Sequence, residues 1–199
     1  MIDTEAEHFA GFPGVWMLQS TREFQLFWQW IAGQDQPVRR IIEIGSFCGG
    51  TLWYWSQLRN GQLHVVTVDD LVPEIYPEPR QAQIDARPQW QSWFKPPHML
   101  TELVGDSHDQ TVIDAAAKWG PYDMAFIDGD HSYDGVHADF AAYGAMVRRG
   151  GIIAMHDVCR LVPDVMRFAD ELHDTNMTVR FYDPRTDGTG ILAVVKTWE

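Results

Sequence analysis

Cysteine is scarce in this sequence, and long apolar runs are absent from it. The only two cysteines, Cys48 and Cys159, form neither a CxxC pair nor a disulfide framework, which suits a reducing compartment. No apolar run approaches the roughly 20 residues of a membrane-spanning helix. The first five residues include two acids and no base, and they are not followed by the apolar segment of a secretory signal. These absences predict a cytoplasmic protein with no membrane partner.

Positive charge is also scarce. The chain has 15 Lys and Arg against 28 Asp and Glu, a formal net charge of −13. Nucleic acids and anionic membranes bind clustered positive charge, so this balance argues against both as partners. With 199 residues, of which 45% are hydrophobic and 22% charged, the chain is expected to form one globular domain with a sizeable core.

Short apolar segments alternate with helical patterns along most of the chain. The predicted strands are 41–44, 64–68, 100–104, 124–127, 151–155, 178–182 and 190–196. The predicted helices are 20–31, 51–59, 109–119, 133–147 and 163–174. This alternation predicts an α/β fold with a mostly parallel sheet and helices on both faces. The last two strands, joined by the turn-rich segment 183–188, are expected to form an antiparallel hairpin.

Two segments lie outside this alternation. Residues 1–37 contain one helix, with the capping-type pattern Ser20-x-x-Glu23 at its start. Residues 71–99 are rich in proline and tryptophan, and connections of this length are usually functional or disordered. We therefore predict a single domain, 1–199, with a helical cap over 1–37 and an insertion over the site at 71–99. Within the insertion, Trp90, Trp93 and Phe94 could stack on an acceptor or pack in a lid or homodimer interface.

A glycine-rich segment, Glu43 to Thr51, directly follows the first strand and opens a helix. Glycine allows a tight turn and the close approach of backbone to a ligand, and the helix N-terminus offers free N–H groups. The spacing does not match GxGxxG, and Glu43 would repel a pyrophosphate but suit an ammonium or a hydroxyl. The alternative is a glycine-rich turn without a ligand.

Two further strands end in acidic residues. Asp69 and Asp70 close the second strand, where a carboxylate commonly accepts hydrogen bonds from ribose hydroxyls. The alternative is a solvated turn or a helix cap. Asp106 and Ser107 follow the third strand at the same predicted edge of the sheet.

The strongest cluster follows the fourth and fifth strands. Asp128, Asp130 and His131 lie within four residues, and His156 with Asp157 ends the next strand. If these strands are neighbours, Asp128 meets His156 and Asp157. Two carboxylates and an imidazole can hold a divalent cation. The alternatives are that Asp130 or Ser132 caps the next helix and that the histidine is buried and hydrogen-bonded.

The order of these motifs resembles class I S-adenosylmethionine-dependent methyltransferases over about residues 38–196. The segments that carry the resemblance are IIEIGSFCGGT, VVTVDD, VGDS, FIDGDHSYDGVHADF and GGIIAMHDV. They are most similar to the branch with cephalosporin-hydroxylase-like proteins and macrolide and rhamnosyl O-methyltransferases. The resemblance implies a Rossmann-like, seven-stranded sheet with the last strand inserted antiparallel.

The resemblance also implies roles for individual residues. The methionine part of the cofactor would be surrounded by Glu43, Gly45, Ser46 and Gly50. The ribose would be held by Asp69 or Asp70, and the adenine would lie near Asp106 and Ser107. Asp128 would contact the cofactor and, with Asp157 and His156, a metal ion. His156 stands where relatives often carry an acidic residue, and His131 stands where macrolide-sugar relatives place a general base.

The function implied is metal-assisted O-methylation of a small-molecule hydroxyl on a sugar, polyketide or phenolic acceptor. The cofactors would be S-adenosylmethionine and Mg²⁺ or another divalent cation. The alternative is a non-catalytic or hydroxylase-associated protein that binds the same cofactor and metal. A dinucleotide-dependent oxidoreductase is disfavoured by Glu43 and the missing GxGxxG.

Overall fold

A computed structural model describes residues 19–58, 61–70, 79–175, 178–183 and 190–198. Parts of three predicted segments lie outside the described residues. They are 1–18 of the cap, 71–78 of the insertion and 184–188 of the hairpin turn.

The described residues form strands and helices in alternation. The strands are β1 (Arg40–Ile44), β2 (His64–Asp69), β3 (Met99–Val104), β4 (Tyr122–Ile127), β5 (Val147–Met155), β6 (Thr178–Tyr182) and β7 (Gly190–Val195). The helices are α1 (Thr21–Ala32), α2 (Gly50–Ser56), α3 (Pro79–Trp93), α4 (Gln110–Ala117), α5 (Tyr133–Ala145) and α6 (Pro163–Thr175). Among the described helices, none has the length and apolar composition needed to cross a membrane.

The strands form one seven-stranded sheet in the order β3-β2-β1-β4-β5-β7-β6. Strands β1 to β5 pair in parallel, whereas β7 runs antiparallel between β5 and β6. The predicted fold class is confirmed. Ile44 pairs with Val68 and Ile127, and Ile127 pairs with Met155. The residues that follow β1, β2, β4 and β5 therefore meet at one edge of the sheet.

Each face of the sheet carries its own apolar core. Helices α1, α2 and α3 cover one face, and α4, α5 and α6 cover the other. The first face holds most of the aromatic side chains of the described residues. Trp55 and Trp90 are fully buried there, and Trp28, Trp30 and Trp53 pack against them more peripherally. Core packing thus explains much of the tryptophan content.

The structure adds a helix that the sequence did not indicate and corrects the end of another. The described part of the insertion is largely helical. Helix α3 begins at Pro79, where the backbone N–H that proline lacks would have no partner within the helix. The helix continues through Pro88, which is exposed. Burial of Trp90 and Phe94 against the sheet favours the helix, so neither side chain is available to stack on an acceptor. Val147, predicted as the end of a helix, instead begins β5 because it pairs with Tyr122.

Candidate active site

The glycine-rich segment forms a tight loop between β1 and α2. Gly45 and Gly49 have φ angles of +81° and +80°, which L side chains rarely adopt. Gly45 N–H donates to the carbonyl of Val68 at 2.9 Å. A Cβ atom on Gly45 would lie 2.0 Å from the carbonyl oxygen of Asp128. The loop therefore packs directly on the end of β4, where the acidic cluster begins.

Glu43 anchors this loop from below. Its side chain is fully buried; Oε1 accepts hydrogen bonds from Ser46 Oγ at 2.7 Å and Thr51 Oγ1 at 2.9 Å, and Oε2 accepts one from Trp55 Nε1. Burial raises the pKa of Glu43 to about 7. Because both carboxylate oxygens are engaged, Glu43 fixes the loop and the first turn of α2 together.

Asp69 holds the same loop from the side. Its Oδ2 accepts hydrogen bonds from the backbone N–H groups of Ser46 at 2.9 Å and Phe47 at 3.0 Å. Asp69 is buried, while Asp70, the next residue, is exposed. Beyond β3, the exposed Asp106 accepts a hydrogen bond from the N–H of His108 at 2.8 Å. The structure thus places these carboxylates and the half-buried Ser107 after neighbouring strands, as predicted.

Asp128, His131 and Asp157 form the centre of the candidate site. Among the described residues, these three offer one ligand atom each within 4.8 Å of one another. Nε2 of His131 lies 3.0 Å from Asp157 Oδ2 and 3.8 Å from Asp128 Oδ1. All three side chains are partly exposed. Two carboxylates and an imidazole at this separation suit a divalent cation, because oxygen and imidazole nitrogen atoms are common metal ligands and these are accessible to solvent.

His156 lies beneath this group and contacts carboxylates on both sides of its ring. Nδ1 is 3.1 Å from Asp128 Oδ1 and 3.3 Å from Asp157 Oδ1. Nε2 is 3.1 Å from Glu23 Oε1, on α1. The side chains of His156 and Glu23 are 2% and 0% exposed, so this contact is closed to water. Gln19, just before α1, also donates a hydrogen bond to Asp128 Oδ2.

The charges of the cluster depend on one another. Burial alone would raise the pKa of Asp128, but the imidazoles of His156 and His131 hold it below its ordinary value. Contact with Asp128 raises the pKa of His131, against a smaller opposing effect of burial. Burial alone would lower the pKa of His156, but Asp128 and Asp157 raise it well above its ordinary value. Asp128 therefore stays ionised at neutral pH, as a metal ligand must.

Two residues of the conspicuous Asp-Gly-Asp-His-Ser segment have a structural role. Asp130 Oδ1 accepts a hydrogen bond from Ser132 N–H at 2.8 Å. The Ser132 hydroxyl accepts one from Gly135 N–H at 3.1 Å and so caps α5. The capping interpretation is confirmed for Ser132, while Asp130 turns back to Ser132, so Asp128 and His131 are the residues of this segment that face the candidate site.

Sequence reasoning missed two buried acids. Glu23 matched a helix-capping pattern, yet the Ser20 side chain makes no capping hydrogen bond and Glu23 turns inward to His156. Asp139 on α5 is fully buried, with Oδ1 3.3 Å from His108 Nε2, and burial raises its pKa to about 6. Asp139 shares the core-facing side of α5 with Val136 and Tyr143, and that spacing is the signal that could have identified it.

Replacing Gly45 with alanine should destabilise the protein. The new Cβ would meet a backbone atom that cannot move aside, and φ would remain in the left-handed region. We expect the free energy of unfolding, measured in urea, to fall by about 2–4 kcal/mol. Gly33→Ala is the matched control: a Cβ there meets nothing closer than 3.4 Å, so its effect should stay within about 0.5 kcal/mol. Equal effects of the two variants would contradict the close packing of the loop on β4.

A curated relative, demethylmacrocin O-methyltransferase from Streptomyces fradiae, is 35% identical over 60 residues, which are 30% of this chain and 15% of that protein. This chain therefore matches much less than two thirds of that relative's length.

Solved structures share the fold at low sequence identity. Cofactor-bound Rv0187 from MTB has a TM-score of 0.65 and 20% identity, over 97% of this chain and 87% of that one. The MycE methyltransferase of the mycinamycin biosynthetic pathway, solved with Mg, S-adenosylhomocysteine (SAH) and mycinamycin VI, has a TM-score of 0.56 and 18% identity. That match covers 89% of this chain and 48% of the MycE chain.

A family model described as a methyltransferase domain matches residues 42–158. The matched region begins in β1, includes the glycine-rich loop and the cluster at Asp128 and His131, and ends just after Asp157. It covers more than half of the sequence. The chain therefore belongs to this family of methyltransferase domains.

Proposed function

We propose that this chain transfers a methyl group from S-adenosylmethionine to a hydroxyl group of a small molecule, with a divalent cation bound at Asp128 and Asp157. The observation that carries the proposal is the contact between the glycine-rich loop and the acidic cluster. Gly45 packs against the backbone of Asp128, so a cofactor on the loop and an acceptor at the cluster would be neighbours.

The chemistry of the residues fits the cofactor. Gly45 and Ser46 lie on a loop whose shape Glu43 and Asp69 hold, and this loop, with Gly50 at the start of α2, would receive the methionine part. The exposed Asp70, together with Asp69, would accept hydrogen bonds from the ribose hydroxyls. Asp106 and Ser107, after β3, would lie beside the adenine. The carboxylate of Asp128 would favour the positive charge of the sulfonium.

The residues also fit a divalent cation. Asp128 and Asp157 are partly exposed, and each offers a carboxylate oxygen, the two lying within 4.8 Å of each other. Oxygen ligands favour Mg²⁺ and Mn²⁺, whereas an imidazole ligand would shift the preference toward other transition metals. The bound ion would supply Lewis acidity that lowers the pKa of the acceptor hydroxyl. MycE, which shares the fold, was solved with Mg and SAH.

His131 would act as the general base. Its Nε2 points to the carboxylates at the mouth of the site, and the side chain is 34% exposed, so an acceptor hydroxyl could reach it. The hydroxyl proton would move to Nε2 as the new O–CH₃ bond forms. The S–CH₃ bond would break with its electron pair left on sulfur, giving SAH. Positioning and one base are all that this reaction requires of the protein, because the sulfonium already activates the methyl group.

Cofactor binding provides the first test. At about 100 times the dissociation constant, a ligand stabilises the folded state by about 2.7 kcal/mol. For a chain of this size that energy corresponds to a rise in Tm of about 5–10 °C. We expect S-adenosylmethionine and SAH to produce this rise in a thermal-shift assay, while NAD and NADP have no effect. Stabilisation by NAD alone would contradict the proposal.

A further inference from the structure

We propose that Glu23 is a positioning residue of the candidate metal site and acts through His156. The proposal rests on the proposed function, because it assumes a cation at Asp128 and Asp157. Its basis is a continuous line of buried contacts from α1 to the site: Glu23 Oε1 lies 3.1 Å from His156 Nε2, and His156 Nδ1 lies 3.1 Å from Asp128 Oδ1.

The donor and acceptor roles of these groups show how Glu23 could act on the site through His156. A carboxylate accepts hydrogen bonds and an imidazole N–H donates them. Glu23 provides an acceptor for Nε2–H, which fixes the plane of the ring and directs Nδ1 toward the carboxylates of Asp128 and Asp157. Carboxylates that bind a metal ion are themselves held by hydrogen bonds, and losing the partners that orient them lowers metal affinity. Glu23 touches neither cofactor nor acceptor in this arrangement, so its effect passes through the histidine.

Aromatic packing sets the position of Glu23. The ring centroid of the neighbouring Phe24 is 5.2 Å from that of Trp55 and 6.2 Å from that of Phe126. Phe27 stacks on Phe126 at 5.8 Å. Phe126 is on β4, two residues before Asp128. These contacts dock α1 on the strand that carries the candidate ligand, and they hold the Glu23 carboxylate in place with no exposure to water.

The test compares Glu23→Ala with Glu23→Gln. The first variant removes the acceptor, and the second keeps an acceptor oxygen at the same position. Gln25→Ala is the matched control, since Gln25 lies on the exposed side of α1. Three quantities are measured: Mn²⁺ affinity by electron paramagnetic resonance, the ring N–H signals of His156 by ¹⁵N NMR without metal, and SAH affinity by calorimetry.

We expect Glu23→Ala to lower Mn²⁺ affinity about 10- to 100-fold and to remove the protected Nε2–H signal of His156. Glu23→Gln should keep the signal and most of the affinity, and Gln25→Ala should match the wild type. SAH affinity should be the same in all of these proteins. If Glu23→Ala does not fold, Glu23→Asp, whose shorter side chain withdraws the acceptor, should show the same losses.

Two results would overturn the proposal, and they are distinguishable. Wild-type Mn²⁺ affinity with an unchanged His156 signal in Glu23→Ala would show that Glu23 does not position the site, and the proposed function would stand. A wild-type protein that binds SAH but not Mn²⁺ would instead remove the metal from the proposed function, and the positioning role would fall with it.

Discussion

Replacing His131 with alanine is expected to lower kcat by about 10²- to 10⁴-fold, the range found for loss of a general base. The affinity for SAH should stay at the wild-type value, because His131 contacts Asp157 and Asp128 and lies outside the glycine-rich loop. Calorimetry with SAH and a radiolabelled methyl-transfer assay over a panel of sugar, polyketide and phenolic acceptors would measure the two quantities.

A second histidine on the same segment provides the control. His137 is exposed on α5 and packs against the rings of Tyr133 and Phe168, away from the carboxylates. His137→Ala should therefore keep the wild-type kcat. Loss of SAH binding in His131→Ala would contradict its assignment as a base, and a loss of Mn²⁺ affinity as large as that of an aspartate variant would make it a metal ligand instead.

Replacing Asp128 with asparagine is expected to abolish detectable methyl transfer and to lower Mn²⁺ affinity by about 100-fold or more. Loss of a residue that hydrogen-bonds to a metal ligand lowers metal affinity about 10- to 100-fold, and loss of the ligand itself should lower it at least as much. The substitution also removes the negative charge that faces His156 and His131 and that raises the pKa of both. Asp157→Asn should show the same loss of affinity if both carboxylates bind the ion.

Asp130→Asn is the matched control for Asp128→Asn. It changes the same residue type two positions away, in a side chain whose carboxylate turns back to the N–H of Ser132. Mn²⁺ affinity and kcat should both remain close to wild type. Equal losses in Asp130→Asn and Asp128→Asn would contradict the assignment of Asp128 as a ligand. They would mean that Mn²⁺ affinity depends on the total charge of the segment.

The sequence predicts the edge of the sheet well because its signal is local. Each apolar strand ends in an abrupt change to polar residues, as at Ile127 and Asp128, and parallel pairing brings those ends together. The pairing of β4 with β5, left open by the sequence, is confirmed, and it brings Asp128 to His156 and Asp157. Short-range periodicity is enough for this much of the fold.

The parts that the sequence did not predict depend on contacts between distant segments. Glu23 and His156 are 133 positions apart, and at short range Glu23 matches a helix-capping pattern. Nε2 of His156 meets Glu23 only when α1 docks on the sheet. Likewise, the proline-rich composition of 71–99 gives no local signal for a helix, whereas the burial of Trp90 under Gly49 stabilises one there. Tertiary contacts outweighed local preference in both places.

The position of β7 has a consequence for how the protein forms during synthesis. Residues 190–195 form the last strand of the described residues, yet they lie inside the sheet and separate β5 from β6. Until those residues have left the ribosome, β5 has an open edge beside the residues that become the candidate site, and β6 has no partner. The pairing of β7 with β5, beside His156 and Asp157, and with β6 is therefore a late, long-range step in the formation of the sheet.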